Sequence, residues 1–85
     1  MSNLDARERA QLGLKNIQDA IEDLLSAHAD GFAAEDVAEE LGLAAGLAPD
    51  QRAAFAMALL APMVETGRIF RDEGSGVYRD NPEKI

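Results

Sequence analysis

Three arginines, Arg68, Arg71 and Arg79, fall within the stretch GRIFRDEGSGVYRD that runs from Gly67 to Asp80. A guanidinium is permanently charged and presents a planar fork of donors, so a cluster of this kind is suited to gripping phosphate oxygens. Upstream, Gln51 and Arg52 stand side by side. An amide and a guanidinium are the side chains that reach base edges and backbone phosphates. Gln51, Arg52, Arg68, Arg71 and Arg79 therefore make one candidate contact surface for DNA. A second reading competes with it. Asp72, Glu73 and Asp80 lie close enough in sequence to neutralise the arginines, and charged residues on short edge strands also serve to prevent edge-to-edge association.

Other residue types able to do chemistry are sparse. Glu35, Asp36, Glu39 and Glu40 form a dense carboxylate group. They have neither the glycine-containing loop of a calcium site nor a neighbouring nucleophile, so the reading is a solvated helix face. His28 is the single histidine. At the end of an apolar stripe near a helix C-terminus, it is expected to be partly buried against the terminal carbonyls. There is no cysteine, which removes disulfides, thiolate nucleophiles and thiolate metal sites together. The string GLAAG lacks the lysine and hydroxyl residue of a phosphate loop. The sequence points to a non-enzymatic protein, with no cofactor, no metal and no small-molecule ligand.

Charge is distributed unevenly along the chain. The formal net charge is −8 over 85 residues. Residues 1–15 carry a net +1, residues 16–51 hold nine acids and no Lys or Arg, and the remainder balances. A field of this sign repels DNA and favours either solvation or a basic partner. An acidic chain can also imitate nucleic acid by presenting carboxylates where phosphates would lie, and that is a further alternative.

The size allows one hydrophobic core, and a core this small gains stability from self-association or a partner. With 47% apolar and 28% charged residues the composition is that of a globular domain. The opening MSNLDARERA does not resemble a signal peptide. The longest apolar run, AAFAMALLAPMV, is too short to span a bilayer and contains Pro62. A cytoplasmic protein without a membrane role is expected.

Positioning these residues requires helices and a hairpin. Leu14, Ile17, Ile21, Leu24 and His28 recur at three- and four-residue steps with Leu25 beside them, which predicts an amphipathic helix ending near Gly31. Its start is left open between Leu4 and Leu14. GFAAEDVAEELGL reads as an extended step at Phe32 and a short helix with Val37, Ala38 and Leu41 inward. A third helix begins at Pro49 and ends at Gly67. It is apolar nearly all round, with Phe55, Leu59 and Met63 on one stripe, Ala56, Leu60 and Val64 on another, and Met57 off both. A kink or break is expected at Pro62. RIFRD and VYRD flank the turn EGSG as a β-hairpin, with Phe70 and Tyr78 on one face opposite Ile69 and Val77, and Phe32 as a third strand.

The order helix, short strand, helix, helix, hairpin resembles the winged helix-turn-helix family. GFAAEDVAEELGL is similar to the lead into that family's second helix, and LLAPMVETGRIFRDEGSGVYR to the end of its recognition helix entering the wing. The resemblance covers nearly the whole chain and implies an α+β fold: a small winged helix, three helices packed with a C-terminal two- to three-stranded antiparallel hairpin wing. The rival fold is a helical bundle with a loosely attached hairpin. Domain bounds follow as an N-terminal arm or helix extension over 1–13, the winged-helix domain over 14–80 and a frayed tail over 81–85. Pro49 to Thr66 would occupy the recognition-helix position and Gly67 to Asp80 the wing, through which many relatives bind DNA. The linker GLAAGLAP is longer than the family's turn, and the helix carries alanine, leucine and methionine where base-reading residues are expected.

The reading that follows is a module acting mainly by protein contact, with itself or a regulatory partner. Phe55, Met57, Phe70, Tyr78, Glu35, Glu39 and Glu40 are its candidate interface residues. For Phe70 and Tyr78, packing against a helix is the competing role. The alternative is a DNA-binding transcriptional regulator that uses the third helix and the arginine-bearing wing.

Overall fold

The stripe of Ile17, Ile21, Leu24 and Leu25 winds into one helix, α1 (Asn3–Ala27), in the computed structural model, which describes residues 3–83. Gly13 does not interrupt it. Ile21 and Leu25 are buried, and Ile17 and Leu24 pack partly against the core. Leu14, which the periodicity assigns to the same stripe, is exposed. The cause is length. A helix of 25 residues extends roughly 37 Å at about 1.5 Å per residue, and its first half overshoots the shorter elements beneath it. Asp5 to Leu12 are exposed throughout.

Helix α2 (Ala34–Glu40) and helix α3 (Pro49–Glu65) pack together and supply Ala34, Val37, Ala38, Ala56, Leu60 and Met63 to the core. Both end in the same way. Gly42 and Gly67 take the left-handed conformation with φ of 69° and 78°. The next amide then reaches back to the last helical turn, from Leu43 to the Ala38 carbonyl at 2.8 Å and from Arg68 to the Met63 carbonyl at 3.0 Å. This is the Schellman closure that glycine permits. At the other end of α3, Pro49 starts the helix and the Gln51 amide oxygen accepts the Ala48 N–H at 3.2 Å.

Helix α3 runs unbroken through Pro62. The proline removes the N–H that would serve the Ala58 carbonyl, but Ala58 and Pro62 both lie on the exposed side, where water can satisfy that oxygen. The Thr66 hydroxyl donates to the Pro62 carbonyl at 2.9 Å and holds the last turn.

Strands β1 (Ile69–Arg71) and β2 (Tyr78–Asp80) form an antiparallel pair with Ile69 opposite Asp80, Phe70 opposite Arg79 and Arg71 opposite Tyr78. Paired residues share a face, so this register places Phe70 and Tyr78 on opposite faces, contrary to the alternation read from sequence. Ile69 and Tyr78 enter the core, while Phe70 remains exposed. The loop between the strands is closed by Asp72, whose N–H donates to the Val77 carbonyl at 2.8 Å and whose carboxylate accepts the Gly74 N–H at 2.9 Å.

The third strand is reduced to one residue. Phe32 forms an isolated antiparallel bridge with Tyr78. The Phe32 N–H donates to the Tyr78 carbonyl at 3.0 Å, and the Tyr78 N–H donates to the Phe32 carbonyl at 2.7 Å. Gly31 makes this approach feasible. Its φ is +76°, and a Cβ placed there would stand 2.5 Å from the Tyr78 carbonyl oxygen. At the base of the hairpin, the Asn81 amide donates to the Gly67 carbonyl at 2.7 Å. Lys84 and Ile85, which the sequence reading places in the tail, lie outside the described residues.

Two glycines make opposite predictions. Gly31→Ala is expected to destabilise the protein by roughly 2–4 kcal/mol, because it combines a left-handed backbone with a backbone clash. Gly13→Ala meets nothing within 4 Å inside a helix and is expected to stabilise by roughly 0.5–1 kcal/mol. Thermal denaturation of the two variants beside the parent chain checks both signs.

Candidate interaction surface

The three hairpin arginines all meet carboxylates of their own chain. Arg68 emerges directly after the Schellman closure of α3, which turns the backbone toward α1. Its Nε donates to a Glu22 carboxylate oxygen at 2.7 Å and its Nη2 to Asp19 at 3.0 Å. Asp19 also accepts from Lys15 at 2.9 Å. The sequence sets Arg68 near the hairpin acids Asp72, Glu73 and Asp80, whereas its partners lie 46 and 49 positions away on α1. Arg71 pairs with Glu73 at 3.3 Å and Arg79 with Asp72 at 3.5 Å, as local neutralisation predicts.

These pairs perturb the acids in a consistent direction. The Lys15 ammonium, followed by the Arg68 guanidinium, holds the Asp19 carboxyl below its ordinary value. The amides of Gly74 and Ser75, with Arg79 beyond them, do the same for Asp72. Hydrogen bonding to Glu22 raises Arg68 further above its already high value, so this cation stays charged at every working pH.

Arg52 differs. Its side chain is half-buried at the start of α3, and no carboxylate among the described residues lies within ion-pairing distance. Its Nε, like that of Arg79, is enclosed without an acceptor among the described residues. Gln51 spends its amide oxygen on the helix cap. Of the five side chains that the sequence offered for DNA, three are committed to acids and one to a cap.

The outward side of α3 is unlike an ordinary solvent face. Residues 52, 53, 56, 59, 60, 63 and 64 turn inward or lie half-buried, which leaves a broad outer arc. Met57 is 50% exposed at one border of that arc and Phe55 41% at the other. Ala54, Ala58, Ala61 and Pro62 fill the space between them and are exposed. Asp50 lies at the N-terminal end of the arc and Glu65 at the C-terminal end. Glu35, Asp36, Glu39 and Glu40 are all exposed on α2, the helix packed against α3.

The remaining candidates separate. Tyr78 is 6% exposed and belongs to the core, whereas Phe70 is 39% exposed on the outer hairpin face. Phe70 and its cross-strand neighbour Arg79 line an open hollow of about 260 Å³ with Leu25, Ser26, Ala29 and Pro82. His28 is exposed rather than packed on helix carbonyls, and its ring meets Phe32 edge-on with centroids 5.0 Å apart. The exposure of Leu12 and Leu47 was not anticipated. Only knowledge of where the body of the protein ends would have disclosed it. No three His, Asp or Glu residues among those described gather as a metal-binding group, and no described helix is long and apolar enough to cross a membrane. Comparison of the chain with protein-family models, curated proteins and solved structures gives no match.

Arg68→Met is expected to cost about 1 kcal/mol, the scale of a partly buried charged pair, and to lower the melting temperature by roughly 4–8 °C. The acid response follows from the lowered carboxyls of Asp19 and Asp72. Their stabilisation is complete above the ordinary carboxylate range near pH ~4 and is lost as pH falls through their lower folded values. Melting curves from neutral pH down into the acid range are expected to show this loss, and Asp19→Asn to flatten part of it.

Proposed function

We propose that this chain is a non-enzymatic, cytoplasmic winged-helix module that works by protein contact through the outward face of α3. The order of elements, with one strand residue bridging to a C-terminal hairpin, supports the winged-helix assignment. The observation that carries the functional reading is the chemistry of α3. The helix in the recognition position turns methionine, phenylalanine, alanine and proline outward, while the wing's arginines are bound to the protein's own carboxylates. DNA affinity rests on lysine and arginine displacing counterions from phosphates, and the wing would first have to give up its internal ion pairs. Exposed apolar side chains on a charged protein are what a protein partner covers.

The test compares two sets of variants in capture from nuclease-treated extracts of cells that make the protein. Phe55→Asp with Met57→Asp is expected to abolish recovery of the partner, since both side chains are exposed and neither belongs to the core. Arg71→Ala with Arg79→Ala is expected to leave recovery intact. Duplex binding at low salt that weakens steeply as salt rises and disappears with Arg52→Ala would replace this reading with the DNA-binding one.

A further inference from the structure

The geometry points to a basic amphipathic helix of another protein, rather than a second copy of this chain, as the occupant of the outward face of α3. This inference rests on the protein-contact reading and names the partner's chemistry. Ala54, Ala58 and Ala61 recur at helical spacing on the exposed arc, and small side chains let a second helix axis come close. Phe55 and Met57 stand at the two borders of the strip and would flank a helix laid along it. A partner helix docks on such a face through apolar anchors at every third or fourth position.

Charge decides between the two occupants. Asp50 and Glu65 bracket the strip, separated by roughly 22 Å along the helix axis at about 1.5 Å per residue. Glu35, Asp36, Glu39 and Glu40 on α2 are also exposed and add to the negative charge of the molecule as a whole. The one cation of α3, Arg52, is half-buried on its inner flank. Between Asn16 and Glu65 the chain has no other Lys or Arg. A second copy would bring the same carboxylates and its own net charge of −8 to the face, a like-charge approach that works against association. A helix with leucine or alanine on one side and Lys or Arg toward both ends meets the strip with apolar surface and meets both brackets with opposite charge.

The experiment uses the full chain and three synthetic peptides about as long as α3. One is helical with Leu and Ala on one face and Lys toward both ends, one replaces each Lys by Glu, and one scrambles the first so that no apolar face remains. Titration by fluorescence anisotropy is expected to show saturable binding of the Lys peptide, at least about tenfold tighter than either control, and weaker at higher salt. Met57→Asp is expected to lower that affinity about tenfold, and Asp50→Lys with Glu65→Lys about three- to tenfold. Equal binding of all three peptides, or no saturable binding of the Lys peptide, overturns the inference. Sedimentation of the same samples separates the two levels. A dimer that forms with rising concentration and is lost in Met57→Asp keeps the α3 face as a protein contact while overturning the basic helix. If α3 substitutions alter neither peptide binding, self-association nor partner capture, both statements fail.

Discussion

The backbone exchange between Phe32 and Tyr78 makes three helices and a hairpin into one body. Strands of three residues have too few bonds to stand alone. Tyr78 gives both its N–H and its carbonyl to Phe32 and sends its ring into the core, so a single residue joins the sheet edge, the α1–α2 link and the apolar interior. Arg68 fastens the other end of the hairpin to the middle of α1 through Glu22 and Asp19. Along α1 the Arg68 pairs straddle Ile21 and the Phe32 exchange follows beyond Leu25, and these are the two α1 residues buried most completely. The hairpin is thereby held by hydrogen bonds at one end, charge at the other and packing between them.

This arrangement governs what the surface offers a partner. A guanidinium engaged with two carboxylates is a structural joint, and its charge is already answered within the protein. The acids of α2, by contrast, have no such role in the packing and project into solvent. Family resemblance in fold does not fix function.

Much of the fold was legible because its signals are local. The inward residues of α1 and α2 follow from spacing, the start of α3 from Pro49, and the ends of α2 and α3 from Gly42 and Gly67, where only a left-handed residue closes the helix. The features that escaped depend on distance or on register. Asp19 and Glu22 looked like ordinary solvent-facing acids of an amphipathic helix, and only the tertiary path of the chain brings Arg68 to them. The faces of Phe70 and Tyr78 depend on how the loop at Asp72 sets the pairing, and a shift of one position exchanges the two sides of a strand. Pro62 reads as a kink or break, yet the helix continues through it, with the Ala58 carbonyl it leaves unpaired on the exposed side. The outer face of α3 could be seen as apolar but not as outward, since a stripe of alanine and methionine has the same composition on either side of a helix.

The length of α1 divides that helix into two parts under different physical constraints. At Ile17, Ile21, Leu24 and Leu25 a substitution disturbs the core, and the cost is set by packing. From Asp5 to Leu12 every side chain is exposed, and a substitution changes only helix propensity and local charge, a matter of tenths of a kcal/mol. The first segment is therefore free to drift in sequence while the fold stays constant. Whatever order its residues preserve over time records what they touch, and owes nothing to what they support.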